Sequence, residues 1–162
     1  MTLKRANFME PDLQNEDAPE GFQLRYDRFG PKVGGSRMGT TLYELPQGQA
    51  ICPYHYEYPE EEWLLVVSGT PSVRHPDGED VLEPGDIVCF PPGPDGAHQV
   101  LNRAEEPARV MMVSTKTEPA VCVYPDSNKI ATFTGNEDDD LMLRKEAAVD
   151  YFEGESAPSK GT

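Results

Sequence analysis

The chain has 162 residues, the length of one ordinary domain with a core of its own. Its formal net charge of −15, from 29 acidic and 14 basic residues, makes phosphate backbones and anionic lipid surfaces unfavourable partners. The three cysteines are widely spaced and form no CxxC pair, which argues against a zinc knuckle or a disulfide framework. No apolar run has the length of a signal core or a membrane span. We therefore expect a soluble, cytoplasmic protein that binds neither nucleic acid nor membrane.

Short strands separated by turns make up most of the chain. Residues 1–20 form a polar arm, and FQLRYDRF and MGTTLYEL are predicted strands on either side of the flexible stretch GPKVGGS. From about residue 36, turns rich in Pro and Gly recur about every eight to twelve residues, a spacing typical of an all-β sandwich or barrel. The further predicted strands are QAICPYHYE, EWLLVVS, SVRH, VLEP, IVCF, AHQVLN, ARVMMVST, AVCVYP and KIATFT.

The pattern divides the chain into three regions. Residues 1–35 hold the N-terminal arm and the first strand, and residues 36–135 form the barrel, most of it an antiparallel meander. Residues 136–162 are an acidic extension, in which we expect a short helical segment after the acidic run.

Four residues of the barrel are candidate metal ligands. His55 and Glu57 are two apart in a predicted strand, so their side chains point to the same face. The YPEE turn reverses the chain, and Glu62 at the start of the next strand is expected beside them as a cross-strand neighbour. His98 opens a later strand that reaches the same cavity if the barrel closes. Mixed nitrogen and oxygen ligands suit manganese, iron, zinc, cobalt or nickel.

Two motifs around these residues resemble those of the cupin superfamily, over about residues 40 to 115. The first, Gly, His-x-His, Glu and Gly, appears as Gly48, His55-Tyr56-Glu57, Glu62 and Gly69. The second, Gly, Pro-x-Gly, His and Asn, appears as Gly85, Pro91-Pro92-Gly93, His98 and Asn102. The resemblance implies an all-β double-stranded β-helix, the jelly-roll barrel of that superfamily.

The sequence departs from these motifs at one presumed ligand. Glu57 stands where the superfamily has a second His, so three His and one Glu become two His and two Glu. If Glu57 binds, the extra carboxylate favours harder ions such as manganese or iron. If it turns away, the site holds metal weakly.

Other residues are assigned to packing or to the surface. Glu60 and Glu61 are alternatives to Glu62, although the pleat makes Glu61 point oppositely. His75 is expected to be an exposed turn residue. The residues predicted to pack are Tyr54, Tyr56, Tyr58 and Trp63 on outward faces, Leu64, Val66, Val100 and Met112 as the apolar cavity wall, and Cys52 and Cys89 as buried thiols.

Two functions are compatible with these observations. The first is a metal-dependent enzyme acting on a small polar or acidic metabolite, such as a sugar, a keto acid or a dicarboxylate, with no residue identified for proton transfer. The second is a non-catalytic barrel that binds or senses a small ligand, with weak or no metal. A homodimer is the expected assembly in both cases.

Overall fold

The computed structural model describes residues 2–156, which form an all-β architecture with one five-residue α-helix, α1 (Phe29–Val33). The strands are β1 (Gln14–Asn15), β2 (Arg25–Arg28), β3 (Met38–Leu45), β4 (Tyr56–Tyr58), β5 (Glu62–Ser68), β6 (Ser72–His75), β7 (Gly78–Val81), β8 (Ile87–Phe90), β9 (Gln99–Leu101), β10 (Ala108–Thr115), β11 (Ala120–Tyr124), β12 (Lys129–Phe133) and β13 (Leu141–Arg144). Single 3-10 turns lie at Pro94–Gly96, Pro125–Ser127, Glu137–Asp139 and Lys145–Ala147. Within residues 2–156, no helix has the length and apolar character of a membrane span.

The strands form two walls of a jelly-roll barrel. One wall is a six-stranded sheet in the order β1-β2-β3-β10-β5-β8, with antiparallel neighbours. The opposite wall comprises a four-stranded sheet, β13-β12-β11-β4, and a three-stranded sheet, β7-β6-β9. An antiparallel bridge between His55 and His98 joins these two smaller sheets where β4 begins and just before β9 begins.

The core lies between the two walls. Strand β5 shows how it forms, because Leu64 and Val66 are buried while the intervening side chains are more exposed. This alternation is the period of a strand with one face on the core. The main buried cluster also contains Leu24, Leu45, Val73, Phe90, Val100, Val110 and Met112.

Two motif residues, Asn102 and Gly69, stabilise connections between strands. Asn102 is fully buried, and its amide donates hydrogen bonds to the carbonyls of Leu45 and Glu106 at 2.9 and 2.8 Å. Gly69 has a φ of +76°, and a Cβ there would lie 2.7 Å from the Cα of Ala108. Both residues therefore fix connections of the barrel.

Three predictions for individual elements were wrong. Residues 29–33, assigned partly to a strand and partly to a flexible stretch, form α1, whose Phe29 packs on the outer face of the six-stranded sheet. Strand β4 pairs with β11 instead of forming a hairpin with β5. In the C-terminal extension, Leu141–Arg144 is a strand, and the helical segment consists of the two 3-10 turns that flank it. Residues 157–162 of that extension lie outside the described residues.

Candidate metal centre

The two histidines of the site come from the seam of the second wall. The backbone N–H of His98 donates to the carbonyl of His55 at 2.8 Å, and the N–H of His55 donates to that of His98 at 3.1 Å. Directly opposed residues on antiparallel strands place their side chains on one face. Their ring centres accordingly lie 4.8 Å apart, although 43 residues separate them in the chain.

Backbone carbonyls orient both imidazoles. Nδ1 of His55 lies 3.1 Å from the carbonyl oxygen of Pro53, and Nδ1 of His98 lies 2.9 Å from that of Gly96. A carbonyl only accepts, so each Nδ1 carries the proton and each Nε2 keeps a free lone pair. The ring of Phe90 stacks on His98 with a centroid distance of 3.7 Å and fixes its plane.

Burial keeps both rings neutral. It lowers the pKa of His98 to about 4, with a further contribution from the neighbouring His55. It also lowers the pKa of His55, against the opposing charge of Glu57. Neutral imidazoles with a defined tautomer and a carbonyl partner are the form in which histidine binds a metal ion.

Glu62 reaches the two histidines from the opposite wall. Its Oε2 lies 3.4 Å from Nε2 of His98 and 3.9 Å from Nε2 of His55. One ligand atom from each of these three residues lies within 4.8 Å of the others, so the cluster has the geometry to hold a metal ion. Burial raises the pKa of Glu62 to about 8, and the charges of Glu57 and Glu60 add to this.

Glu57 lies beside this cluster but outside it. Its Oε1 is 3.8 Å from Nε2 of His55 and accepts a hydrogen bond from Sγ of Cys122 at 2.9 Å. Cys122 is directly opposite Glu57 in the β4–β11 pair, which explains the contact. The other oxygen, Oε2, is buried without a hydrogen-bond partner among the described residues. A buried carboxylate oxygen without a donor is costly, and a cation would satisfy it.

The separations between these atoms fit a shared ion. Two ligand atoms that each lie about 2.1 Å from one ion are roughly 3 to 4.2 Å apart, depending on the angle between them. The distances of 3.4 and 3.9 Å from Oε2 of Glu62 to the imidazole nitrogens of His98 and His55 fall in this range. The 3.8 Å from Oε1 of Glu57 also falls in it, but this distance relates Glu57 to His55 alone. The separations within the cluster of His55, Glu62 and His98 therefore fit a bound metal ion.

A small cavity of about 190 Å³ opens onto the cluster. Val100 and Met112 line it, as predicted for the apolar wall, whereas Leu64 and Val66, which belong to the same core cluster, do not line it. Its other lining residues are Tyr43, Ile51, Cys52, His55, Glu62 and His98. At roughly 30 Å³ per water molecule, the cavity has room for only a few polar groups of a ligand.

Several residues near the site were missed or misplaced by the sequence analysis. Cys122 contacts Glu57, and the ring of Tyr124 stacks on His55 with a centroid distance of 6.0 Å. Both belong to β11, whose pairing with β4 has no signal in the sequence. Cys52 lines the cavity, whereas Cys89 is exposed, so its assignment as a buried thiol was wrong.

The alternatives to Glu62 lie outside the cluster, although Glu60 is close enough to Glu57 to share a side-chain hydrogen bond with it. Glu61 accepts a hydrogen bond from the indole of Trp63 at 2.7 Å on the surface. Glu60 accepts one from the backbone N–H of Thr117 at 3.0 Å, and burial raises its pKa to about 7. His75 lies at the β6–β7 hairpin with Nε2 3.1 Å from Asp80.

The architecture and the site together define a small jelly-roll barrel with a His/Glu/His cluster suited to a metal ion. The family model described as a cupin domain matches residues 41–114. This match places residues 41–114 in the cupin domain family, which is the family that the two motifs predicted. No curated protein matches the chain.

Similar solved structures support the same fold. A sugar phosphate isomerase of the cupin superfamily from Silicibacter pomeroyi DSS-3 is 23% identical, with a TM-score of 0.77 over 89% of this chain and 94% of that chain. A protein from Acidithiobacillus ferrooxidans ATCC 23270, provisionally described as a sugar phosphate isomerase, is 22% identical, with a TM-score of 0.77 over 88% of this chain and 90% of that chain. The polyketide cyclase RemF from Streptomyces resistomycificus is 20% identical, with a TM-score of 0.59 over 74% of this chain and 84% of that chain. At these identities the likeness shows the fold alone.

Proposed function

We propose that the cluster binds one divalent transition metal ion, with His55, Glu62 and His98 as ligands and Glu57 as the fourth. The observation that carries this proposal is the convergence of two neutral, carbonyl-oriented imidazoles and a carboxylate within 4.8 Å. The buried Oε2 of Glu57, which has no hydrogen-bond partner among the described residues, supports Glu57 as the fourth ligand. Two carboxylates balance the charge of the ion, and such nitrogen and oxygen ligands suit manganese, iron, zinc or nickel.

The proposed activity is that of a metal-dependent enzyme acting on a small hydroxylated metabolite, with sugars as the favoured class. Two fold neighbours are described as sugar phosphate isomerases, and the small cavity beside the cluster has room for adjacent hydroxyl or carbonyl oxygens. A bound ion would supply Lewis-acid polarisation of such oxygens. Burial raises the pKa of Tyr43 to about 12, so its hydroxyl stays protonated and is a donor for a substrate oxygen.

A specific observation favours the alternative of a non-catalytic binding barrel. Apart from the cluster, the cavity is lined by the apolar Ile51, Val100 and Met112 together with Tyr43 and Cys52. Burial raises the pKa of Cys52, so this thiol stays protonated near neutral pH. Neither Tyr43 nor Cys52 therefore supplies a base, whereas a binder needs only shape and a few hydrogen bonds.

Exchange of substrate hydrogen distinguishes the two functions. Metal-loaded protein is incubated in D₂O with a panel of aldoses, ketoses and their phosphates, and proton NMR follows deuterium incorporation and product formation. The enzyme proposal predicts exchange or product formation with wild type and His75→Ala, and neither with His98→Ala. Binding of a sugar without any exchange or turnover across the panel would support the binding barrel instead.

A further inference from the structure

A second cavity, of about 260 Å³, lies at the end of the barrel where β3 begins and β10 ends. We call it the basic pocket. Its polar lining consists of Arg28, Thr40, Thr41, Ser114 and Lys116, and none of the residues that line it is acidic. In a chain with 29 acidic and 14 basic residues, a pocket with two cations and three hydroxyls is unusual.

The two cations of the pocket are available to a ligand. Arg25, Arg74, Arg103 and Arg109 form ion pairs with carboxylates, whereas Arg28 and Lys116 form none within residues 2–156. The guanidinium of Arg28 lies 5.0 Å from the centre of the Tyr26 ring, which positions it without neutralising its charge. Gly39 permits the close approach of the Ser114 hydroxyl, since a Cβ there would clash with Oγ of Ser114.

The strand register connects the basic pocket to the metal centre. Ser114 of β10 is directly opposite Glu62 of β5, so their side chains share the inner face of the wall. Two residues earlier in β10 and on the same face, Met112 of the metal cavity is opposite Thr41, and Thr41 is opposite Arg28. Ser114, Thr41 and Arg28 of the pocket are therefore one to three strands from Glu62 on the same face, whereas Thr40, next to Thr41 in β3, points to the other face.

This separation matches the length of a small metabolite. Strands lie about 4.8 Å apart, so an anion between Ser114 and Arg28 lies roughly 5 to 14 Å from Glu62. The shorter part of this range is the reach of a five- or six-carbon chain with one end in the metal cavity.

We propose that the basic pocket binds the phosphate group of a metabolite whose hydroxylated end occupies the metal cavity. The part that concerns the hydroxylated end rests on the function proposed above, while the phosphate site itself does not. An arginine binds two phosphate oxygens with its planar fork, a lysine adds a point charge, and serine and threonine hydroxyls donate to the remaining oxygens. A phosphate monoester carries nearly two negative charges and three acceptor oxygens, which match two cations and several hydroxyls better than a carboxylate does.

The test compares a pentose 5-phosphate with its parent pentose by calorimetry on metal-loaded protein. We expect the ester to bind at least about tenfold more tightly, because it adds charge-assisted hydrogen bonds. Arg28→Gln, Lys116→Gln and Ser114→Ala should each weaken binding of the ester several-fold and leave binding of the pentose unchanged. Lys145→Gln removes an equal charge from the exposed C-terminal extension and is the matched control, with an expected change below about twofold. Circular dichroism checks that each variant is folded.

Any of three results would overturn the proposal. These are equal affinities for ester and pentose, a pentose carboxylic acid that binds as tightly as the ester, and equal losses of ester affinity in Lys145→Gln and Lys116→Gln.

A second experiment separates the phosphate site from the metal proposal. Metal-free protein is titrated with inorganic phosphate and followed by phosphorus NMR. Phosphate binding to this protein that is lost in Arg28→Gln would support the phosphate site, even if the protein retains no metal and the metal-dependent function fails.

Discussion

At the scale of single residues, a proton competes with the metal ion for Glu62. Burial raises the pKa of this carboxyl to about 8, so it is protonated in the metal-free protein at neutral pH. The two histidines do not lose a proton when the ion binds, because they are already neutral. The pKa of His98 is about 4, and that of His55 is also lowered. Binding therefore displaces one proton, from Glu62.

We predict that metal affinity rises with pH and then levels off. Below the pKa of Glu62 each pH unit strengthens binding about tenfold, so affinity increases by about two orders of magnitude from pH 6 to pH 8 and little beyond. Calorimetric titrations at pH 6, 7, 8 and 9 measure this directly. A flat profile between pH 6 and pH 8 would show that Glu62 is not the group that exchanges its proton for the ion.

Asn102 is predicted to matter for stability and not for chemistry. Replacing it by Ala leaves the buried carbonyl of Leu45 and the partly buried carbonyl of Glu106 without their donor, and also removes the acceptor for the N–H of Ala104. We expect Asn102→Ala to lower the free energy of unfolding by about 3 kcal/mol. Urea denaturation checks this, with the exposed Asn136→Ala as a control expected to change stability by less than about 0.5 kcal/mol. An equally small effect at Asn102 would contradict the anchoring role.

At the scale of elements, local patterns predicted the strands and non-local pairing decided the site. The alternation in β5 placed Leu64 and Val66 inward, and the turn residues marked where strands end. What the pattern did not reveal is that β4 leaves its neighbour β5 and pairs with β11, about 65 residues away. His55, Glu62 and His98 could be predicted because they belong to motifs. Cys122 and Tyr124 could not, because their proximity depends on that pairing.

Packing also overrides the local secondary-structure propensity in two segments, one near each end of the chain. Residues 29–33 contain a Gly and a Pro, which favour a loop, but Phe29 buries its ring against Leu42 and Met111 and α1 forms around it. The apolar run Leu141–Leu143 pairs with β12 as a strand, where the sequence suggested a helix. Edge pairing with an existing sheet stabilises this segment, whereas an isolated helix of this length is only marginally stable.

Gly69 tests the connection between β5 and the next strands. A Cβ would approach the Cα of Ala108 to 2.7 Å and the carbonyl oxygen of Pro107 to 2.8 Å, in addition to the strain of a positive φ. We expect Gly69→Ala to destabilise the fold by at least about 3 kcal/mol. Gly48→Ala is the matched control, because Gly48 has a φ of +78° but nothing within 4 Å of its Cβ position. We expect Gly48→Ala to lower the free energy of unfolding by only about 1 kcal/mol, the cost of the positive φ alone. Thermal or urea denaturation measures both variants, and equal losses of stability at Gly69 and Gly48 would contradict the close approach at Gly69.

At the scale of the whole molecule, the site depends on barrel closure. The histidines lie on one wall at the seam between two sheets, and Glu62 comes from the other wall. An ion bound there would join the walls, so we expect metal-loaded protein to be more stable than metal-free protein by the linkage between binding and folding.

We also predict a homodimer. Trp63 and Ile87 are exposed on β5 and on β8, the edge strand of the six-stranded sheet, where a second copy can cover apolar surface. Light scattering coupled to gel filtration should give twice the 18.0 kDa of one chain. Ile87→Lys should shift the protein to the monomer, and the exposed Val149→Lys should not. A monomer at micromolar wild-type concentration would contradict the prediction.

Elemental analysis of the purified, tag-free protein tests the metal centre most directly. We predict close to one equivalent of manganese, iron, zinc or nickel in wild type, loss of that metal in His98→Ala, and retention in His75→Ala, whose histidine lies at the β6–β7 hairpin. In the same series, weakened retention in Glu57→Ala would support its role as the fourth ligand. Wild-type protein that stays empty after incubation with each of these ions, or His98→Ala that keeps the same metal content, would contradict the assignment of this cluster as a metal site.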